Sequence, residues 1–321
     1  MNIPVFDLHC DTALELLGRK NGFPKDLKSN DLHIDLDRAA VLDGYCQCFA
    51  CFTTPAMEKW GLGSPELVFE RELSTIREQI LSNSDRITLV TAPDQVEENR
   101  KAGKMSAILT IEGPAGFGFD PSRLQALYDM GFRITTLGWN EKNVLTGSHV
   151  TGGGLTEPGR EYVREAQRLG MLIDVSHISD EGFWDIIEVS HGPVIATHSN
   201  SRSVYNVSRN LTDDMFRAIC ATGGVAGFNL YASFVGDDPD LNSCAEHFLH
   251  WLELDPDGTH ICLGGDLDGC DTLPKGFLGV QSYPALADCL LARGVSAEQI
   301  HNIFWYNAIG VMERAVCNHK K

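Results

Sequence analysis

No apolar run in this chain approaches the ~18 residues a membrane span requires, so no transmembrane segment is expected. Positive charge is also short: 26 Lys and Arg stand against 44 Asp and Glu, a formal net charge of −18 at pH 7. A field of that sign repels phosphate backbones, which argues against nucleic acid as a partner. The opening Met1–Asp7 has no basic region leading into an apolar stretch, and the closing Asn318-His319-Lys320-Lys321 is not an apolar tail. Neither a secretion signal nor a lipid anchor is read there, and a cytoplasmic location with no membrane partner is expected. A dinucleotide fingerprint is missing too, because Gly152-Gly153-Gly154 follows no strand-like run and opens no helix.

What the chain does have is 321 residues, 43% of them apolar. That suffices for one α/β barrel of roughly 250 residues with long loops, read as a single domain over residues 1–321. Eight short apolar runs read as strands: Ile3–His9, Tyr45–Phe52, Ser106–Ile111, Arg133–Trp139, Met171–His177, Pro193–His198, Gly224–Asn229 and His260–Gly265. Their nearly continuous apolar content suits strands covered on both faces. Helix candidates alternate with them, Pro65–Ser82 after Ser64 being the plainest, with proline at the first helical position. The pattern favours a closed, TIM-like (β/α)8 barrel over an open doubly wound sheet. The glycine-rich stretch Thr146–Pro158 reads as a mobile loop over one mouth. Ten cysteines are expected reduced. Cys46, Cys48 and Cys51 read as packed thiols, because strand alternation sends Cys51 to the other face.

Polar residues fall at strand ends. His9 and Asp11 close the first run, Glu112 the third, His177 the fifth, His198 the sixth and Asp266 the eighth. In a barrel these ends meet at one face, which holds the active site. Residues two apart on a strand share a side, so His9 and Asp11 can reach one ion. Three imidazoles with two or three carboxylates suit Zn²⁺, and less well Mn²⁺ or Co²⁺. Glu112 could bridge two ions, which in such sites lie ~3.5–4 Å apart. Singly each residue has a plainer role, Asp11 as a cap for the helix from Thr12 among them. Their conjunction on five strands carries the metal reading.

His9-Cys10-Asp11, Ile111-Glu112-Gly113, Asp174-Val175-Ser176-His177, Pro193–Asn200, Ser208-Arg209-Asn210 and Gly264-Gly265-Asp266-Leu267-Asp268-Gly269 occur in an order that resembles the membrane (renal) dipeptidase family of metallopeptidases. The resemblance implies a metallohydrolase barrel with two Zn²⁺ per chain, one on His9, Asp11 and Glu112 and one on Glu112, His177 and His198. It implies a dipeptide substrate, Arg209 gripping its C-terminal carboxylate, and Asp266 as acid/base residue. A hydroxide bridging the metals would attack the scissile carbonyl. Where family members often carry a histidine after the fourth strand, Trp139 stands here, read as a pocket-shaping or substrate-contacting residue. His149 in the glycine-rich loop is a further candidate to meet substrate. Two alternatives stay open: another amidohydrolase-like reaction (on a lactone, an N-acyl amino acid or a phosphoester) and a catalytically weakened binding protein. A homodimer is left open as well.

Overall fold

The computed structural model describes residues 1–19 and 22–319, with side chains to residue 316; Lys320, Lys321 and the side chains of the closing segment lie outside the described residues. Nine strands form among the described residues: β1 (Val5–Cys10), β2 (Tyr45–Phe52), β3 (Ile87–Leu89), β4 (Met105–Glu112), β5 (Phe132–Thr136), β6 (Leu172–Asp174), β7 (Val194–Ile195), β8 (Ala226–Phe228) and β9 (Ile261–Leu263). All pair in parallel, in the order β7-β6-β5-β4-β2-β1-β9-β8. A bridge from Ala196 to Ala226 joins the two ends of that path, so eight strands make a nearly closed barrel. The ninth, β3, was not expected. It pairs only with the start of β4, below the point where β5 takes over the same edge, and stays clear of the mouth.

The barrel interior is filled by residues from β1, β2, β4, β5, β6, β7 and β9, with Val225 just ahead of β8. Phe6, Leu8, Cys46, Cys48, Ile108, Ile134, Leu172, Ile195, Val225 and Cys262 form one buried cluster, joined by Trp305, Ala308, Val311 and Met312 of the last helical segment. Alternate strand residues such as Val5, Phe49, Cys51, Leu109, Phe132 and Ile173 pack instead with the outer helices. Cys46 and Cys48 thus face inward and Cys51 outward, as alternation requires.

The outer helices start where their caps dictate. Ser64, Ser179 and Thr212 each accept a main-chain N–H three residues on, opening helices Pro65–Ser82, Asp180–Val189 and Asp213–Ala221. No described helix is long and apolar enough to cross a membrane. The stretch expected to be mobile is tied down: Ser148 bridges Gly152 and Ile178, and the His149 N–H donates to the His177 carbonyl at 2.8 Å.

Candidate metal centre

Strand β1 solves a problem of parity. Phe6 and Leu8 point into the barrel, so strict alternation would turn His9 away from it. Asp7 pairs with Gln47 but Cys10 with Phe49, three steps on β1 against two on β2. This bulge inserts one residue and re-aims the side chains beyond it. Cys10 packs in the outer layer, Asp11 reaches the cavity wall, and His9 turns toward Asp11 and Glu112 beneath it. Asp7 holds the kink, its Oδ1 accepting the His9 and Gly265 main-chain N–H groups at 3.0 Å each.

The six candidate residues meet there. His9 Nε2 lies 3.3 Å from Glu112 Oε2, 3.7 Å from Asp11 Oδ2 and 3.9 Å from Asp266 Oδ1. The other Glu112 oxygen, Oε1, lies 3.0 Å from His177 Nε2 and 4.0 Å from His198 Nε2. Glu112 therefore stands between two groups of imidazoles with one oxygen toward each. Donor atoms of His9, Glu112 and His198 lie within 4.8 Å of one another, as do those of His9, Asp11 and Asp266. Close approach is built into the backbone: a side chain at Gly269 would run into Asp11 Oδ2 and Asp266 Oδ1. His177, Asp266 and Asp268 hold φ values of 70°, 55° and 71°, a costly region for residues with side chains and one found at functional sites.

The hydrogen bonds behind the imidazoles set their tautomers. Thr197 has one hydroxyl proton, and it goes to Asp174 Oδ2 at 2.6 Å. Its oxygen can then only accept from His198, whose Nδ1 is 2.7 Å away. Asn140 Oδ1 likewise accepts from His177 Nδ1 at 2.9 Å, and from His149 Nε2 at 2.9 Å. Both His177 and His198 then carry their proton on Nδ1, and their Nε2 lone pairs face each other at 3.0 Å. Lone pairs so placed repel unless a cation accepts them, and a ring fixed through Nδ1 is the usual state of a metal-ligating histidine. The donor set fits zinc.

The charges agree. Burial, followed by Arg209, holds His177 well below the usual histidine range, and burial, followed by His9, does the same to His198. Both are kept neutral. Burial would also lower His9, but Glu112 and Asp11 outweigh it and raise it well above. Burial and the Asp11 charge push Glu112 up to about 8. Asp266 rises to about 6, through burial and Asp11, against the pull of His9 and Arg209.

A cavity of about 400 Å³ opens over this cluster, with Asp11, Glu112, Trp139, His177 and Asp266 in its walls. Arg209 is buried just behind it. Its Nη1 donates to Ser199 Oγ at 2.7 Å and its guanidinium lies 5.7 Å from the ring of Phe234, which does line the cavity. Nε and Nη2 find no partner among the described residues. His149 sits at the margin, bonded to Asn140 and to Ser208 Oγ at 3.0 Å, its pKa lowered to about 4 by burial and by Arg209. Asp174, Thr197, Asn140 and the Phe52–Trp60 pair beside Trp139 were not singled out from the sequence. An acid three residues before His177 and a hydroxyl just before His198 were the available signals for two of them.

A parallel barrel with imidazoles and carboxylates converging at one mouth is the architecture of a metallohydrolase. The profile of the membrane dipeptidase family, peptidase family M19, matches residues 1–321, and the chain belongs to that family. It is similar to an uncharacterized dipeptidase of Schizosaccharomyces pombe, 32% identical over 248 residues that cover 75% of this chain and 61% of the relative. The chain thus spans less than two thirds of that relative's length. It is also similar to an uncharacterized protein of Klebsiella pneumoniae, 31% identical over 265 residues, covering 78% and 97%. Among solved structures, a metallo peptidase from Rhodobacter sphaeroides bound to a phosphinate mimic of the dipeptide L-Ala-D-Ala superposes with a TM-score of 0.86 at 27% identity, covering 98% of this chain and 100% of that one. A probable dipeptidase of Pseudomonas aeruginosa reaches the same TM-score at 16% identity, over 98% and 96%, and is alike in fold.

Proposed function

We propose that this protein is a zinc-dependent dipeptidase. The observation that carries the reading is the pair of buried Nε2 lone pairs of His177 and His198 meeting at 3.0 Å beside Glu112 Oε1. His9, Asp11 and Glu112 would hold one ion, and Glu112, His177 and His198 the other. Two bound zinc ions would supply hydroxide at neutral pH, by lowering the pKa of water to ~7, and would polarise the scissile carbonyl.

The chain's own groups do the rest. Asp266, with a pKa of about 6 and Oδ2 held by Asn229 Nδ2 at 3.0 Å, is suited to take a proton and return it to the leaving amine. Arg209, fixed through Nη1, has two buried N–H directions left for a substrate carboxylate, which a guanidinium fork binds in a bidentate manner. Trp139 walls the cavity without offering a proton-transfer group. Asn140, pinned by His149, holds the His177 ring. The dipeptide mimic bound by the Rhodobacter sphaeroides relative supports the substrate class.

The test is elemental analysis of purified protein, with turnover of L-Ala-D-Ala measured before and after chelation and zinc return. About two zinc per chain, with activity lost and recovered, is expected. Metal without dipeptide turnover would move the reading to lactones, N-acyl amino acids or phosphoesters, assayed side by side. Absence of metal from zinc-replete protein would refute it.

A further inference from the structure

One wall of the cavity is unlike the others. Phe52, Trp60 and Trp139 form a mutually packed ring cluster: Phe52–Trp139 centroids are 5.2 Å apart at 64°, Trp60–Trp139 5.7 Å at 87°, and Phe52–Trp60 6.4 Å at 28°. All three line the cavity, with Leu14 beside them. Leu14, Phe52, Met57 and Val68 back the wall as a small apolar core of their own. Trp60 remains 44% exposed, so the wall still presents ring surface. Trp139 lies 6.2 Å from the His177 ring, which brings this surface within a side chain's reach of the metal donors. On the Arg209 side Tyr231 and Phe234 make a smaller aromatic pair, 4.8 Å apart at 81°, and the rest of the lining is mostly polar, with Arg19, Asp11, Asp266 and Asp271.

Resting on the dipeptidase reading, we infer that the Phe52–Trp60–Trp139 wall is a subsite for an aromatic or large aliphatic side chain on the N-terminal residue of the dipeptide. Exposed rings packed edge-to-face accept a further ring in the same geometry, and apolar walls of a cavity select apolar groups. The choice of residue rests on the charges. Arg209, the group suited to the C-terminal carboxylate, packs against Ser199 and Phe234 rather than against this cluster. Asp271, which has no part in holding the ions or moving the proton, offers the free ammonium a partner in the same cavity. An N-terminal residue with its ammonium toward that acid lays its side chain on the rings.

The experiment compares kcat/KM of the zinc-loaded enzyme for phenylalanyl-alanine, alanyl-phenylalanine and alanyl-alanine, in wild type, Trp60→Ala and Trp60→Phe. Wild type should favour phenylalanyl-alanine over alanyl-alanine about tenfold, and Trp60→Ala should remove most of that ratio through KM, equivalent to ~1.4 kcal/mol. Trp60→Phe, which keeps a ring, should retain it. Circular dichroism of the variants checks folding at this half-exposed loop position. Equal rates on phenylalanyl-alanine and alanyl-alanine, or a ratio untouched by Trp60→Ala, would overturn the subsite while leaving a dipeptidase. A preference carried by alanyl-phenylalanine would overturn its assignment to the N-terminal residue. Failure to cleave any of the three, and L-Ala-D-Ala as well, would sink the dipeptidase reading itself.

Discussion

Replacing Thr197 with valine removes one oxygen from the middle of the Asp174–Thr197–His198 chain and keeps the side chain's shape. Asp174 Oδ1 would retain the main-chain N–H groups of Ser176 at 2.9 Å and Thr197 at 2.8 Å, while Oδ2 would lose the Thr197 hydroxyl. His198 would lose the acceptor at its Nδ1, in a ring with no exposed surface. Leaving that N–H unmade costs ~1–3 kcal/mol. The ring can avoid the penalty by moving its proton to Nε2, where His177 Nε2 waits at 3.0 Å as acceptor. In that event the metal-free protein loses only the Asp174 Oδ2 hydrogen bond, ~1–3 kcal/mol, and His198 no longer turns a lone pair to the site. Loss of such a supporting partner typically weakens metal binding 10–100-fold, or ~1.4–2.7 kcal/mol. Urea unfolding of the chelated protein gives the first quantity, and zinc competition against a chelator of known affinity gives the second. Nitrogen NMR of the metal-free protein reads the tautomer directly. Zinc affinity within about twofold of wild type, with the His198 proton still on Nδ1, would refute the claim that Thr197 selects the ligand form.

Two other outcomes are expected from the same geometry. Asp266→Asn should lower kcat by ~10²–10⁴ with zinc content retained, since the residue is assigned to proton transfer; unchanged kcat would remove it from that role. His247 lies outside the site, buried, with Nδ1 accepting the Ser201 N–H at 3.2 Å and Nε2 donating to the Val235 carbonyl at 3.0 Å. Burial lowers its pKa to about 4. The unfolded chain takes up a proton near pH 6.5 and the folded chain does not, so stability should fall as pH drops from about 6.5 to 4, by up to ~3 kcal/mol. His247→Gln should flatten that slope in denaturant titrations run across this range; an identical slope in the variant would show that the acid sensitivity arises elsewhere.

The strands and the site were legible to different depths. Tyr45–Phe52 and Ser106–Ile111 are long apolar runs, and the structure pairs them residue for residue from Cys46 with Ser106 to Phe52 with Glu112. The runs Met171–His177 and Pro193–His198 shrink to β6 and β7 of three and two residues. There Asp174 and Thr197 bond to each other across the strands, the Thr197 N–H and hydroxyl both going to the Asp174 carboxylate, a demand that apolar patterning does not reveal. Strand β3 was missed because Ile87-Thr88-Leu89 is too short to stand out beside its polar neighbours. The strand-end rule singled out His9, Asp11, Glu112, His177, His198 and Asp266, which do meet at one mouth, because a parallel barrel brings such ends together whatever the details. It could not see that His9 reaches the mouth only through a bulge, since an extra residue shows itself only when two strands are paired. Nor could it rank Trp60, which is distant from Trp139 in the chain and touches it only after folding.

The pairing of β1 with β9 has a consequence for how the protein comes into being. The site draws on residues from His9 to Gly269, and the first strand is locked beside the last by Asp7 opposite Leu263, by the Cys10–Leu267 bridge and by the Thr12 hydroxyl on Asp268 at 2.6 Å. Contacts of such sequence separation form late, after the intervening loop entropy has been overcome. A nascent chain emerging from the ribosome would display His9 and Asp11 long before Asp266 exists, and through most of synthesis the mouth is only a partial ring of donors. The full set of candidate donors therefore exists only once β9 lies beside β1, and an ion held by it would tie together the first strand made and the last.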